Sequence, residues 1–145
     1  MNSHPLRIGD IAKRSGVTVE TLRFYEKEQL LAPQGRSESG YRLYSDDDLQ
    51  RVMFILHAKK VGFTLAEIKK LLALRLNSDK HTCEEVKEYT AEKITEIEER
   101  LLAFQAIHKA LTQLHDACCG GPRKATHCSI LSSLEENSFL HDKDR

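Results

Sequence analysis

RIGDIAKRSGVTVETLRFYEKEQLL, residues 7–31, decides the fold of this 145-residue chain. Ile8, Ile11 and Ala12 recur at three- and four-residue spacing, the period of an amphipathic helix. Ser15-Gly16-Val17 interrupts that face, and Gly16 is free to take the positive φ that a tight turn needs. Thr18 has the short hydroxyl side chain of an N-cap. Val19, Leu22 and Tyr25 or Glu26 then resume the helical spacing. Helix, glycine-containing turn, helix is the pattern of DNA readers whose second helix enters the major groove, although many helical hairpins share it.

The next segment narrows the choice. In GRSESGYRLY, residues 35–44, a Ser-Gly turn precedes Tyr41 and Leu43 alternating with Arg42 and Tyr44, which predicts a short β-hairpin. Carrying Arg36, Tyr41 and Arg42, it has the make-up of a wing laid along the sugar-phosphate backbone. The alternative is a structural hairpin with solvated arginines. SDDDLQRVMFILHAKKVG, residues 45–62, predicts a helix capped by Ser45, with Asp46 to Asp48 at the positive end of its dipole. Leu49, Val52, Met53 and Leu56 are its expected buried stripe. His57, Lys59 and Lys60 suit the negative end of that dipole and equally suit phosphate. FTLAEIKKLLAL, residues 63–74, opens a fourth helix with Thr64 and Glu67 as a capping box and Phe63 stapled onto Ile68.

From about Glu84 to Ala117 there is neither proline nor glycine. Ile94, Ile97, Leu101, Phe104 and Leu111 fall at alternating spacings of three and four, with His108 between the last two, which predicts a heptad-like seam. Such a helix spans on the order of 50 Å at 1.5 Å per residue. A chain this small cannot cover it alone, so a second copy about a two-fold axis is expected. The pattern leaves open whether the two helices run parallel or antiparallel.

Composition agrees with a soluble, helix-rich protein: 40% of residues are hydrophobic and 30% charged, and the net charge is zero. The halves differ, with 13 Lys+Arg against 9 Asp+Glu in residues 1–75 and 9 against 13 in residues 76–145. The split suits the front end to phosphate, with a chance asymmetry as the alternative. The start of the chain has no apolar secretory core, and no apolar run approaches the roughly 20 residues needed to span a bilayer. A cytoplasmic location without membrane contact is expected, where thiols more often bind metal or react than form structural disulfides. No nucleophile–base arrangement or phosphate loop suggests an enzyme.

The four cysteines sit at the two ends of the long helix: Cys83 in HTCEE at its start, and Cys118, Cys119 and Cys128 in DACCGGPRKATHC after its end. If the paired helices are antiparallel, Cys83 of one chain meets the other three of its partner. Four thiolates could then surround a soft or borderline cation. A thiol redox switch and four unrelated thiols are the alternatives.

RIGDIAKRSGVTVETLRFYEKEQLL, GRSESGYRLYSDDDLQR and VGFTLAEIKKLL together resemble the MerR family of bacterial transcription regulators. The resemblance runs to about residue 135, and the RFYE and GYRLY elements are its most specific parts. Within the family, HTCEE, the 34 residues between Cys83 and Cys118, the DACCG doublet and CSILSSLE are similar to the zinc-responsive branch. Mercury and cadmium/lead branches share a cysteine matching Cys83 but typically lack the doublet. The copper branch typically has serine there.

The resemblance implies a mainly α fold. Residues 1–76 would form a winged helix-turn-helix DNA-binding domain and 77–117 a long antiparallel coiled-coil dimerisation helix. Residues 118–135 would form a metal-binding loop and short helix, and 136–145 a disordered tail. It implies a homodimer on a palindromic promoter, working with RNA polymerase. The metal-bound dimer would distort the DNA so that a metal-efflux gene is transcribed. Carried over by residue, Thr18, Thr21, Arg23 and Tyr25 lie in or beside the recognition helix, with Tyr25 equally suited to packing. Arg36, Tyr41 and Arg42 lie on the wing, and Lys13, His57 and Lys59 flank it as phosphate contacts.

The sequence departs from the zinc branch at Arg123, where a histidine is usual four positions after the doublet. Arginine cannot be a ligand and carries a fixed charge. Two arrangements follow. Either one Zn²⁺ is held by Cys83 of one chain with Cys118, Cys119 and Cys128 of the other, or two ions are held with His127 replacing the missing histidine. His127 is expected to take part, and Cd²⁺ and Pb²⁺ are the alternatives to Zn²⁺. His81 and His115 fit ordinary surface positions as well as ligand ones.

Overall fold

The computed structural model describes residues 4–136 and divides into two compact units, Met1–Tyr89 and Thr90–Arg145. The first unit opens with a strand β1 (Leu6–Arg7) and helices α1 (Ile8–Ser15) and α2 (Val19–Lys27). Strands β2 (Gly35–Arg36) and β3 (Arg42–Tyr44) follow, then helices α3 (Asp46–Lys60) and α4 (Leu65–Leu76). Helix α5 (Cys83–Ala117) runs on into the second unit, which closes with α6 (Ser129–Glu136). The tail expected from residue 136 lies, beyond Glu136, outside the described residues.

Local chemistry sets the boundaries. Gly16 ends α1 in the left-handed region at φ 76°, its N–H bonding Ala12 O at 2.9 Å. Thr18 caps α2 by accepting from Thr21 N at 3.2 Å. That helix ends in a Schellman motif, with Gln29 N bonding Glu26 O at 3.0 Å and Leu30 N bonding Tyr25 O at 2.8 Å. Gln29 takes the left-handed position at φ 62°, normally given to glycine. Ser45 caps α3 as expected and does so in a box with Asp48, and Thr64 with Glu67 forms the expected capping box of α4.

The expected hairpin gains a third strand. The sheet order is β1-β3-β2, antiparallel throughout, with Leu6 opposite Tyr44 and Arg36 opposite Arg42. Two residues are too short a run for alternation to reveal β1 in the sequence.

One core holds the first unit together. Ile11, Leu22, Val52, Ile55 and Ile68 are fully buried, beside Tyr25, Leu30 and Tyr44. Each large apolar side chain so buried contributes about 1.5–3 kcal/mol. The α3 stripe is turned relative to expectation: Val52, Ile55 and Ala58 are buried, whereas Leu49, Met53 and Leu56 are half-buried. Residues 52–56 are all apolar, so periodicity alone did not select the face. Asp48 is the buried carboxylate of this core, accepting from Ser45 N at 2.8 Å, Ser45 Oγ at 3.1 Å and Gln34 Nε2 at 3.4 Å.

In the second unit α5 presents exposed apolar residues at the predicted spacing. Ile94, Leu101, Phe104 and Leu111 are each 55–67% exposed. Ile97 is half-buried.

Candidate DNA-binding face and metal centre

Helix α2 and the β2–β3 hairpin border a groove of about 900 Å³. Arg23, Glu26 and Lys27 line it from α2, Arg36, Tyr41 and Arg42 from the hairpin, and Arg7 from β1. Among the described residues, five cationic side chains thus surround a single carboxylate, a charge pattern suited to polyphosphate. Several are already fixed by neighbours. Arg42 Nη1 donates to Glu26 Oε2, joining wing to helix. The Arg7 guanidinium stacks on the Tyr41 ring, 4.5 Å from its centroid. Arg36 Nη1 donates to Gly40 O at 3.4 Å. The Arg23 side chain is exposed and has no hydrogen bond or ion pair among the described residues.

The other residues marked in the sequence lie outside this groove. Thr18 and Thr21 sit at the start of α2, their hydroxyls 2.9 Å apart. Lys13 is exposed in the last turn of α1, and His57 and Lys59 are exposed in the last turn of α3. Tyr25 is 1% exposed, so it occupies the packing position that its spacing allowed. Lys59 Nζ lies 6.0 Å from the centroid of that ring. Sequence reasoning missed Arg7 because only the pairing of Arg7 with Leu43 places it at the groove.

The cysteines divide between the units. Cys83 is the exposed first residue of α5, where Thr82 and Glu85 form a capping box. Glu85 N bonds Thr82 Oγ1 at 3.2 Å, and Thr82 N bonds Glu85 Oε2 at 3.0 Å. The same carboxylate oxygen lies 2.9 Å from His81 Nδ1. The Thr82 N–H first, and His81 second, hold the Glu85 carboxyl below its ordinary pKa.

In the second unit the loop after α5 folds back on itself. Ser129 Oγ donates to Ala117 O at 2.9 Å, tying the start of α6 to the end of α5. Cys118 Sγ and Cys128 Sγ are thereby 4.0 Å apart. Two thiolates on a tetrahedral ion with bonds of about 2.3 Å stand roughly 3.8 Å apart, so this pair fits such a centre. Its surroundings also favour thiolate. Gly120 N–H reaches Cys118 Sγ at 3.5 Å. Cys128 precedes α6, and the N–H groups of Leu131 and then Ile130 hold its thiol below the ordinary pKa. Cys119 and His127 are exposed, and Arg123 and Lys124 lie exposed between them. Among the described residues, no three His, Cys, Asp or Glu side chains gather into one potential metal cluster. The described residues therefore bring two of the four thiols together.

Comparison with known proteins matches this architecture. Residues 6–74 match the family described as MerR HTH family regulatory protein, and residues 49–114 that described as MerR, DNA binding. The chain is 43% identical to the HTH-type transcriptional regulator ZntR of Escherichia coli (strain K12) over 132 residues, 91% of this chain and 94% of that protein. It is similar to the transcription regulator of Ralstonia metallidurans CH34 solved in complex with lead(II). The TM-score is 0.77 at 36% identity, covering 89% of this chain and 98% of the other. It is also similar to the dual function regulator MerR of Bacillus megaterium MB1 solved with mercury(II). That TM-score is 0.67 at 31% identity, covering 90% and 99%.

Proposed function

The chain belongs to the MerR family of helix-turn-helix regulatory proteins, and on that premise we propose that it is a metal-responsive transcription regulator, with zinc as its physiological ion. It acts in the cytoplasm as a homodimer on palindromic promoter DNA, together with RNA polymerase. Arg23 reads the major groove from α2, beside Thr18 and Thr21. Arg36, Tyr41 and Arg42 lie along the backbone, with Lys13, His57 and Lys59 as flanking phosphate contacts.

The exposed apolar face of α5 pairs with the same face of a second copy running antiparallel. Cys83 of one protomer then completes the half-site of its partner. Cys83, Cys118, Cys119 and Cys128 would hold the ion, and His127 would serve a second one. The bound cation supplies a cross-link between protomers that favours the conformation completing all its ligands. The residues around α6 are thereby fixed against the partner's α5 start. The resulting change in the DNA-binding heads distorts promoter DNA and activates an efflux gene. Cd²⁺ and Pb²⁺ are the alternative ions, Pb²⁺ being the one held by the Ralstonia relative.

The observation that carries this reading is the 4.0 Å separation of Cys118 and Cys128, built by the Ser129–Ala117 tie. The same separation favours a second reading, a thiol redox regulator in which a peroxide-class oxidant accepts two electrons and two protons from these thiols, leaving them joined as a disulfide. A zinc titration of the fully reduced dimer by native mass spectrometry, beside His127→Ala, separates them. Two ions per site falling to one in the variant is the expected result. One ion in both removes His127, and calls for Cd²⁺ and Pb²⁺ in the same assay. No tight binding at all transfers the assignment to redox sensing.

A further inference from the structure

We infer that Glu26 is a positioning residue that sets DNA specificity by locking the wing to the recognition helix. The inference rests on the DNA-binding role proposed above. Glu26 is the single carboxylate among five cations in the groove. Facing phosphate, a carboxylate is repulsive, so a groove made only for affinity gains by losing it. Its side chain is nonetheless 12% exposed, against 45% for the Arg42 side chain it holds. One oxygen accepts from Arg42; the other, Oε1, is buried with no hydrogen-bond partner among the described residues. The burial of that second oxygen is costly, and what it accompanies is a fixed tie between α2 and β3.

The tie has a geometric consequence. Glu26 lies one helical turn beyond Arg23 on α2, and Arg42 opposes Arg36 across the hairpin. The pair therefore fixes the spacing between the residue facing base edges and the strands facing phosphate. A DNA site fits only when its groove-to-backbone spacing matches that distance. Arg42 then acts through Glu26 and is more than another phosphate cation. The cost of a misplaced wing falls on the correct sequence, because random DNA is held by charge alone.

The test compares the intact dimer with Glu26→Gln, Arg42→Gln and the double variant. Two duplexes are used, one selected from a random pool by the wild-type protein and one of random sequence and equal length. Circular dichroism melts accompany each variant. Glu26→Gln is expected to bind the random duplex as well or better, while its preference for the selected duplex falls about tenfold, the size of coupling between contacting groups. Arg42→Gln is expected to lose the same preference, and the double variant to lose no more than either single change. An unchanged preference in Glu26→Gln, or losses that multiply in the double variant, overturns the inference. A wild-type protein that selects no sequence from the pool overturns the DNA-binding reading itself, a distinct result.

Discussion

Cys128 illustrates how much chemistry one backbone position supplies. By preceding α6 it receives the helix's first free N–H groups, which have no partner inside the helix. Its thiolate consequently persists to lower pH than that of an unstructured peptide thiol. In the reduced, metal-free protein, alkylation of Cys128 should therefore show a midpoint below that of a peptide standard. Leu131→Pro, which removes the first of the two donors at a first-turn position that tolerates proline, should move the midpoint up. A midpoint unmoved by that change would remove the helix start as the cause. The thiols themselves were legible in the sequence because cysteine clustering needs no coordinates. The pairing was not, since bringing Cys118 to Cys128 depends on a serine hydroxyl meeting the carbonyl of Ala117. Arg7 is similar: its role follows from a strand of two residues, too short to carry a pattern.

At the level of elements, the caps were the most legible features. Thr18, Ser45 and Thr64 each have a hydroxyl that needs only the next three residues to find its donor. The faces of helices were legible only where polar residues interrupt apolar ones. Helix α1 reads correctly at Ile11, whereas the continuous run in α3 left the choice to Leu22 and Ile68 across the core. The two left-handed helix ends in residues 7–31 make opposite predictions. Gly16 has open space where a Cβ would stand, so Gly16→Ala adds only left-handed strain. Net of the lower chain entropy of alanine, it should destabilise by about 0.5–1 kcal/mol. Gln29 already bears that strain, so Gln29→Gly should stabilise by a similar amount, about 0.5–1 kcal/mol. Urea midpoints shifting in opposite directions at constant slope would establish both. A common direction would show that side-chain contacts outweigh the backbone.

For the whole molecule, the property with most consequence is that, in the proposed assembly, neither protomer owns a complete metal site. Two defective chains should consequently repair each other. Cys83→Ser removes the partner's contribution from both sites of its own dimer, and Cys118→Ser/Cys128→Ser destroys the receiving loop. Mixed and reannealed, the two chains form a dimer with one intact site, and native mass spectrometry should find zinc there and in neither parent. A mixed dimer as empty as its parents would place Cys83 and the loop thiols in separate functions. The seam on α5 that calls for a second copy was legible, because the heptad-like spacing of its apolar residues needs no coordinates, and most of those side chains are exposed. The sheet carries a more practical lesson for handling the protein. Because Leu6 pairs with Tyr44 and Arg7 lines the groove, β1 is tethered to the hairpin. A polyhistidine purification handle fused ahead of Met1 would therefore lie within a few residues of β1 and the proposed DNA face. It would also compete for the ions being titrated, and cleaving it off should precede every binding curve.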